Sequence, residues 1–270
     1  MVSLGIHINE NSIDNIKKIK KYKVSIVQIF MKNFNKRNID EYNKFSSYLK
    51  LNKIKCIVHS SYTINLCKDW DEHSWWLKVL LLEINFAHYI NAIGVVIHLG
   101  NQMDLEKTKA INNTYTSLVY VLSKIKNIDI QILLETSSGQ GSEMFFDLND
   151  FSLFYKKLKY KFPKIGICLD TCHVFSAGYN LKTKKDIIKF IDHFNKTIGL
   201  EHIKLIHLND SKNDVGSKID RHENFYKSLG YIGKKSIKFI FNFFKDINIP
   251  IILETPKDKI MKDFVYLKNL

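Results

Sequence analysis

Residues 165–179 read IGICLDTCHVFSAGY, a short apolar run closed by Asp170 and followed by a stretch that carries Cys172 and His173. Cys168, Asp170, Cys172 and His173 could build a cysteine-based zinc clamp, a redox pair, or an Asp and a His facing a pocket with the cysteines as packing. The rest of the chain decides between them, because the apolar run recurs. LGIHI (4–8), VSIVQIF (24–30), IKCIVH (54–59), IGVVIH (93–98), DIQILLE (129–135), IKLIHL (203–208) and IPIILE (249–254) have the same character, and longer stretches with helical periodicity lie between them. WWLKVLLLEINFAHYI (75–90), INNTYTSLVYVLSKIK (111–126) and SIKFIFNFFKDI (236–247) are long enough for crossover helices. Strands alternating with helices make a parallel sheet, and eight such units in a chain of this length predict an α/β fold, the (β/α)8 TIM barrel. A doubly wound open sheet is the structural alternative. No low-complexity or Pro/Gly-rich linker divides the chain, and Pro163, Pro250 and Pro256 all sit beside strand ends, so residues 1–270 are expected to form one domain.

The residues that close the strands carry the chemistry. Strands three to eight deliver His59, His98, Glu135, Asp170, His207 and Glu254 at or next to their C-terminal ends. In a barrel those ends surround one mouth, where such folds keep their active sites. One such residue is ordinarily a satisfied rim residue; six in succession are not, and clustered carboxylates repel one another unless cations sit among them. His173, Asp220 and His222 add three loop candidates, making five imidazoles and four carboxylates, enough for two or three ions. His7, within strand one, is expected to face the mouth beside the ligands. His73, His88, His193 and His202 read as surface or helix-packing residues, and the aromatic runs WW and FIFNFF as helix packing against the barrel.

Composition narrows the class. Lys and Arg number 41 against 27 Asp and Glu, a formal charge of +14, which favours a polyanionic partner such as nucleic acid or an acidic membrane surface; a lysine-rich codon bias gives the same number. Four cysteines without a CxxC make no disulfide framework, the N-terminus lacks a signal-like pattern, and nowhere do 18 consecutive apolar residues occur. The expectation is a soluble protein of a reducing compartment, cytoplasm or nucleus.

Five motifs resemble the endonuclease IV family of apurinic/apyrimidinic endonucleases: HSSYTINL (59–66), LLETSSGQGSE (133–143), CLDTCHVFSAGY (168–179), HLNDSKNDVGSKIDRHEN (207–224) and ILETP (252–256). The opening GIHI and the overall length extend the resemblance to nearly the whole chain. It implies a monomeric, zinc-dependent base-excision-repair nuclease with three ions. His59, His98 and Glu135 would hold one, Glu135 would bridge to a second held by Asp170, His207 and Glu254, and His173, Asp220 and His222 would hold the third. Glu135 and Glu254 carry over as catalytic carboxylates. The implied substrate is duplex DNA with an abasic site, cut on its 5′ side, and duplex DNA with a blocked 3′ end. The competing readings are a metal-dependent sugar isomerase or epimerase of the same barrel type and a non-catalytic nucleic-acid-binding protein.

The DNA-contacting loops depart from the pattern. Tyr62 matches the aromatic expected at the DNA gap, but Thr63 stands where leucine is common. The loop 31–38 keeps Lys32 and Asn33 and then diverges, leaving Phe34 and Arg37 as the substitutes. HLG replaces HPG after strand four, and DRHENFYKSLGYIG is longer than the usual segment. Strand alternation settles the opening stretch: Cys168 and Asp170 face the same side, Cys168 one layer deeper and Asp170 at the mouth, with His173 after the turn and Cys172 as packing.

Overall fold

The computed structural model describes residues 2–8, 13–31, 39–227 and 230–270. Eight parallel strands close on themselves: β1 (Leu4–Ile8), β2 (Ile26–Phe30), β3 (Lys55–His59), β4 (Gly94–Ile97), β5 (Gln131–Glu135), β6 (Gly166–Asp170), β7 (Ile203–His207) and β10 (Ile251–Leu253). Closure is decided at β1, which pairs with β2 through Gly5 and Ile26 and with β10 through Leu4 and Ile251. An open doubly wound sheet would leave two edges unpaired, so that alternative is excluded. Two further short strands, β8 (Asp210–Ser211) and β9 (His222–Glu223), form an antiparallel ribbon beyond the mouth. Its four residues are too few for a period-2 pattern to register in the sequence.

The helices lie outside the barrel: α1 (Ile13–Lys20), α2 (Ile39–Leu51), α3 (Trp75–Tyr89), α4 (Lys107–Lys124), α5 (Leu148–Lys161), α6 (Thr171–Ala177), α7 (Lys184–Thr197), α8 (Lys234–Asp246) and α9 (Ile260–Lys268). Helix α4 starts four residues before the apolar pattern does. Its first turn, KTKA, is mostly polar, and it is fixed by the Glu106 side chain, which accepts from the Lys109 amide at 3.0 Å. The aromatic run in α8 packs as expected, with Phe241 and Phe244 buried. The WW pair does so only in part: Trp76 is half-buried, while Trp75 is 52% exposed and meets Trp76 edge-on. No helix of the described residues is long and apolar enough to cross a membrane.

Inside the barrel, Ile26, Ile57, Val96, Leu133, Cys168, Leu205 and Ile252 form their own buried cluster, one residue from each of seven strands. The eighth strand brings Gly5 level with Ile26, and a Cβ there would overlap the Ile26 carbonyl oxygen. Only glycine fits at that close approach. This layer is the floor of the site, because side chains two residues further along each strand face the same way.

Candidate metal centre

Moving two residues up from the floor gives Gln28, His59, His98, Glu135, Asp170, His207 and Glu254, with His7 above Gly5. Alternation thus converts seven floor residues into a ring of polar groups at the mouth. His173 enters from α6, whose first turn is fixed by Asp170: its Oδ1 accepts from the His173 amide at 3.0 Å, and Gly178 ends the helix with φ 120°. Asp220 comes from the segment leading into β9, and His222 is the first residue of that strand.

Glu135 lies at the centre. Its Oε1 is 2.7 Å from His207 Nδ1, and its Oε2 is 3.2 Å from His59 Nε2 and 3.1 Å from His98 Nε2. Glu254 Oε2 approaches His207 Nδ1 to 3.2 Å. Asp220 stands between two imidazoles, 3.2 Å from His173 Nε2 and 3.3 Å from His222 Nε2. Among the described residues, four sets each bring their donor atoms within 4.8 Å of one another: His59–Glu135–His207, Glu135–Asp170–His207–Glu254, His173–Asp220–His222 and Asp170–Cys172–His222. Two of these are the groupings expected from sequence. In the remaining expected trio, His59 and His98 both reach Glu135, but the compact grouping puts His207 where His98 was expected. Cys172, read as packing, is near enough to Asp170 and His222 to count as a donor. Burial pushes its thiol up to about 12, so an ion bound there would have to displace that proton.

The hydrogen bonds decide which nitrogen each ring offers. A backbone carbonyl only accepts, so a ring nitrogen bonded to one carries the proton. His59 Nδ1 donates to the Ser60 carbonyl at 2.8 Å, His173 Nδ1 to the Thr136 carbonyl at 2.8 Å, and His222 Nδ1 to the Glu254 carbonyl at 3.2 Å. Each neutral ring therefore turns an Nε2 lone pair toward a carboxylate, and the buried His222 Nε2 has no hydrogen-bond partner among the described residues. A lone pair facing a carboxylate oxygen needs a cation between them, either a proton or a metal ion. The titration behaviour states the same demand. Burial opposes charge on every group, yet Glu254 and Glu135 raise His207 to about 9, and Asp170 and Asp220 raise His222 to about 9. Glu254, also buried, is held down at about 2 by His207 and His59. His98 moves the other way, downward, because burial outweighs its Glu135 contact. This donor set fits metal ions: imidazole nitrogens and carboxylates, preoriented, buried and short of positive charge.

Several residues that set this geometry are inconspicuous in the sequence. Asn209 donates from Nδ2 to Asp170 Oδ2 at 2.7 Å and accepts from the Glu254 amide at 2.8 Å. Thr136 Oγ1 accepts from the Asp170 amide at 3.0 Å. Gln28, fully buried, touches His207, Glu254 and His7; its signal was a lone polar residue in the apolar run IVQIF. On α3, buried Glu83 accepts from the Ser61 amide with both oxygens, at 3.2 and 3.1 Å, and so fixes the loop carrying Tyr62. His7 does face the mouth, as expected, and burial lowers its imidazole to about 4.

On the rim, Tyr62 is 63% exposed, and its ring lies 5.2 Å from Phe30 and His59 and 5.3 Å from His98. Exposed Thr63 bonds to Ser61 Oγ through its hydroxyl at 2.8 Å. A cavity of about 230 Å³ opens beside the cluster, bounded by His7, Phe30, Tyr62, His222, Glu254 and Lys257. Lys32, Asn33, Phe34 and Arg37 lie outside the described residues. Of the histidines set aside, His73, His88 and His193 are exposed, and half-buried His202 contacts the Tyr155 hydroxyl at 3.2 Å.

A family profile described as the xylose isomerase-like TIM barrel matches residues 16–270. The chain is 38% identical over 225 residues to a probable endonuclease 4 of Mycoplasma mobile, covering 83% of this chain and 76% of that protein. It is 33% identical over 284 residues to a probable endonuclease 4 of Nitrosopumilus maritimus, covering 99% and 98%. Among solved structures, endonuclease IV from Thermus thermophilus superposes with a TM-score of 0.78 at 20% identity, over 99% of this chain and 98% of that one.

Proposed function

Because the chain belongs to the endonuclease IV family within the xylose isomerase-like TIM barrels, we propose that it is a zinc-dependent endonuclease of base excision repair. It hydrolyses the phosphodiester 5′ to an abasic site in duplex DNA, leaving a 3′-hydroxyl and a 5′-deoxyribose phosphate, and removes blocking groups from 3′ ends. The whole chain acts as one catalytic domain. The observation that carries this reading is the linkage of the donor sets. Glu135 and His207 each belong to two of them, and Asp220 closes a further set with His173 and His222 at the same mouth.

His59, His98 and Glu135 would hold one ion, Glu135, Asp170, His207 and Glu254 a second, and His173, Asp220 and His222 a third. When bound, the ions supply positive charge that offsets the phosphodiester's own charge and polarises the reacting bonds and water. The protein's residues do the rest. Glu135 and Glu254, whose carboxylates share His207 Nδ1, keep the donor sets in register across the mouth. The carbonyl-anchored rings of His59, His173 and His222 offer their Nε2 lone pairs without a search for orientation. Tyr62 and Thr63, raised on the loop that Glu83 fixes, fill the gap left when the abasic nucleotide leaves the stack, and a damaged site costs less to flip. Lys32, Asn33, Phe34 and Arg37 contact the DNA from the neighbouring loop. The +14 charge draws the polyanion in, and the enzyme works as a monomer in a reducing compartment.

Zinc content separates this reading from a sugar epimerase. We expect mass spectrometry under native conditions to find three zinc ions per chain, with the third lost in His173→Ala. One ion per chain, retained in that variant, contradicts the proposal.

A further inference from the structure

Among the candidate histidine ligands, His207 is anchored differently from the three that bond to backbone carbonyls. His59, His173 and His222 are fixed by backbone carbonyls, which no substitution can remove. His207 has no such anchor: its Nε2 meets the side chain of Gln28 at 2.7 Å. Gln28 rises from the middle of β2, is wholly buried and belongs to none of the donor sets.

The chemistry of its neighbours fixes which way the amide points. An ionised carboxylate only accepts, so the NH2 group must face Glu254, where Nε2 lies 2.6 Å from Oε1. That places Gln28 Oε1, an acceptor, against His207 Nε2, which therefore carries the ring proton. The proton on Nε2 leaves the lone pair on Nδ1, and Nδ1 is the atom that approaches Glu135 at 2.7 Å and Glu254 at 3.2 Å. The second amide N–H reaches His7 Nδ1 at 3.1 Å, so that His7 receives and keeps its own proton on Nε2. His7 Nε2 is buried, without a hydrogen-bond partner among the described residues, and its ring borders the cavity beside Glu254.

We propose that Gln28 is the positioning residue that sets the tautomers of His207 and His7 together. It makes His207 a ligand through Nδ1, where the carbonyl-anchored histidines use Nε2, and it leaves His7 as a neutral N–H donor facing whatever occupies the cavity. One side chain thereby fixes two metal ligands, His207 and Glu254, and one substrate-facing group. The metal part of this inference rests on the function proposed above; the tautomer part does not.

The test uses protein labelled with 15N-histidine and two variants. In metal-free wild type, long-range 1H–15N correlation spectra are expected to show His207 protonated on Nε2, through a slowly exchanging proton that Gln28→Met loses. Gln28→Glu retains it, because a carboxylate still accepts there. In chelator competition, Gln28→Met is expected to bind its ions about 10–100-fold more weakly than wild type, the range usual for groups that orient metal ligands. Circular dichroism checks that both variants fold. A His207 ring in wild type that carries a proton on Nδ1 and none on Nε2, or a Gln28→Met protein with unchanged spectrum and affinity, overturns the proposal. Wild type that takes up no metal yet shows the His207 Nε2 proton contradicts the nuclease reading and leaves the tautomer assignment supported.

Discussion

At the scale of single residues, hydrogen bonds between residues distant in the chain hold the candidate donor groups in place. A His or Glu at the end of an apolar strand stands out against its neighbours. Gln28, Asn209 and Thr136 do not, because their work lies in hydrogen bonds to residues distant in the chain. Asp210 is another such residue. It is fully buried, accepts from the amides of Ser211 at 2.7 Å, Ile232 at 2.9 Å and Gly233 at 3.0 Å, and thereby ties the ribbon to the loop before α8. Burial outweighs these bonds and raises its carboxyl to about 6 from 3.8. A carboxyl raised on folding favours the protonated native state. Its penalty is therefore absent at low pH and grows as pH rises from the unfolded value toward the folded one. The difference of roughly 2 pH units corresponds to about 3 kcal/mol. Asp210→Asn should gain stability relative to wild type by about 2 kcal/mol of that as pH is raised from 4 to 6. Denaturant melts of the two metal-free proteins across this range give the comparison, and a difference that does not change with pH contradicts the assignment.

At the scale of elements, the apolar runs gave all eight barrel strands to within two residues at their ends, since each strand is buried on both faces and few other patterns look like that. The β8–β9 ribbon and the first turn of α4 escaped because short or polar pieces carry no periodicity. The requirement at Gly5 also escaped: nothing in LGIHI says that a neighbouring carbonyl will come so close. Closure of the barrel depends on that approach, because β1 must pair on both sides, and its inward layer there has no room for a side chain. Gly5→Ala should force β1 away from β2 and destabilise the protein by about 3 kcal/mol or more, above the usual cost of overpacking because the obstacle is backbone. Thermal melts of the variant settle this, and a midpoint equal to wild type would contradict the barrel-floor account.

At the scale of the whole molecule, the barrel brings together nine residues scattered from His59 to Glu254 and places an exposed aromatic beside them. The strand-end pattern by itself pointed to that convergence, whereas the +14 charge alone named no partner. What the sequence could not reveal is how the candidate donors approach one another. Glu135 touching three imidazoles depends on the barrel's register, which local patterning does not encode. The measurement that tests the central claim most directly is incision of a duplex carrying one abasic-site analogue, with the products mapped to the nucleotide. The account predicts a single cut 5′ to the lesion that leaves a 3′-hydroxyl, abolished by chelation and restored by zinc. In Glu135→Ala the loss of several kcal/mol of transition-state stabilisation should slow the cut by about 1,000-fold or more. No incision by zinc-loaded wild type, or a cut that survives both chelation and Glu135→Ala, would contradict it.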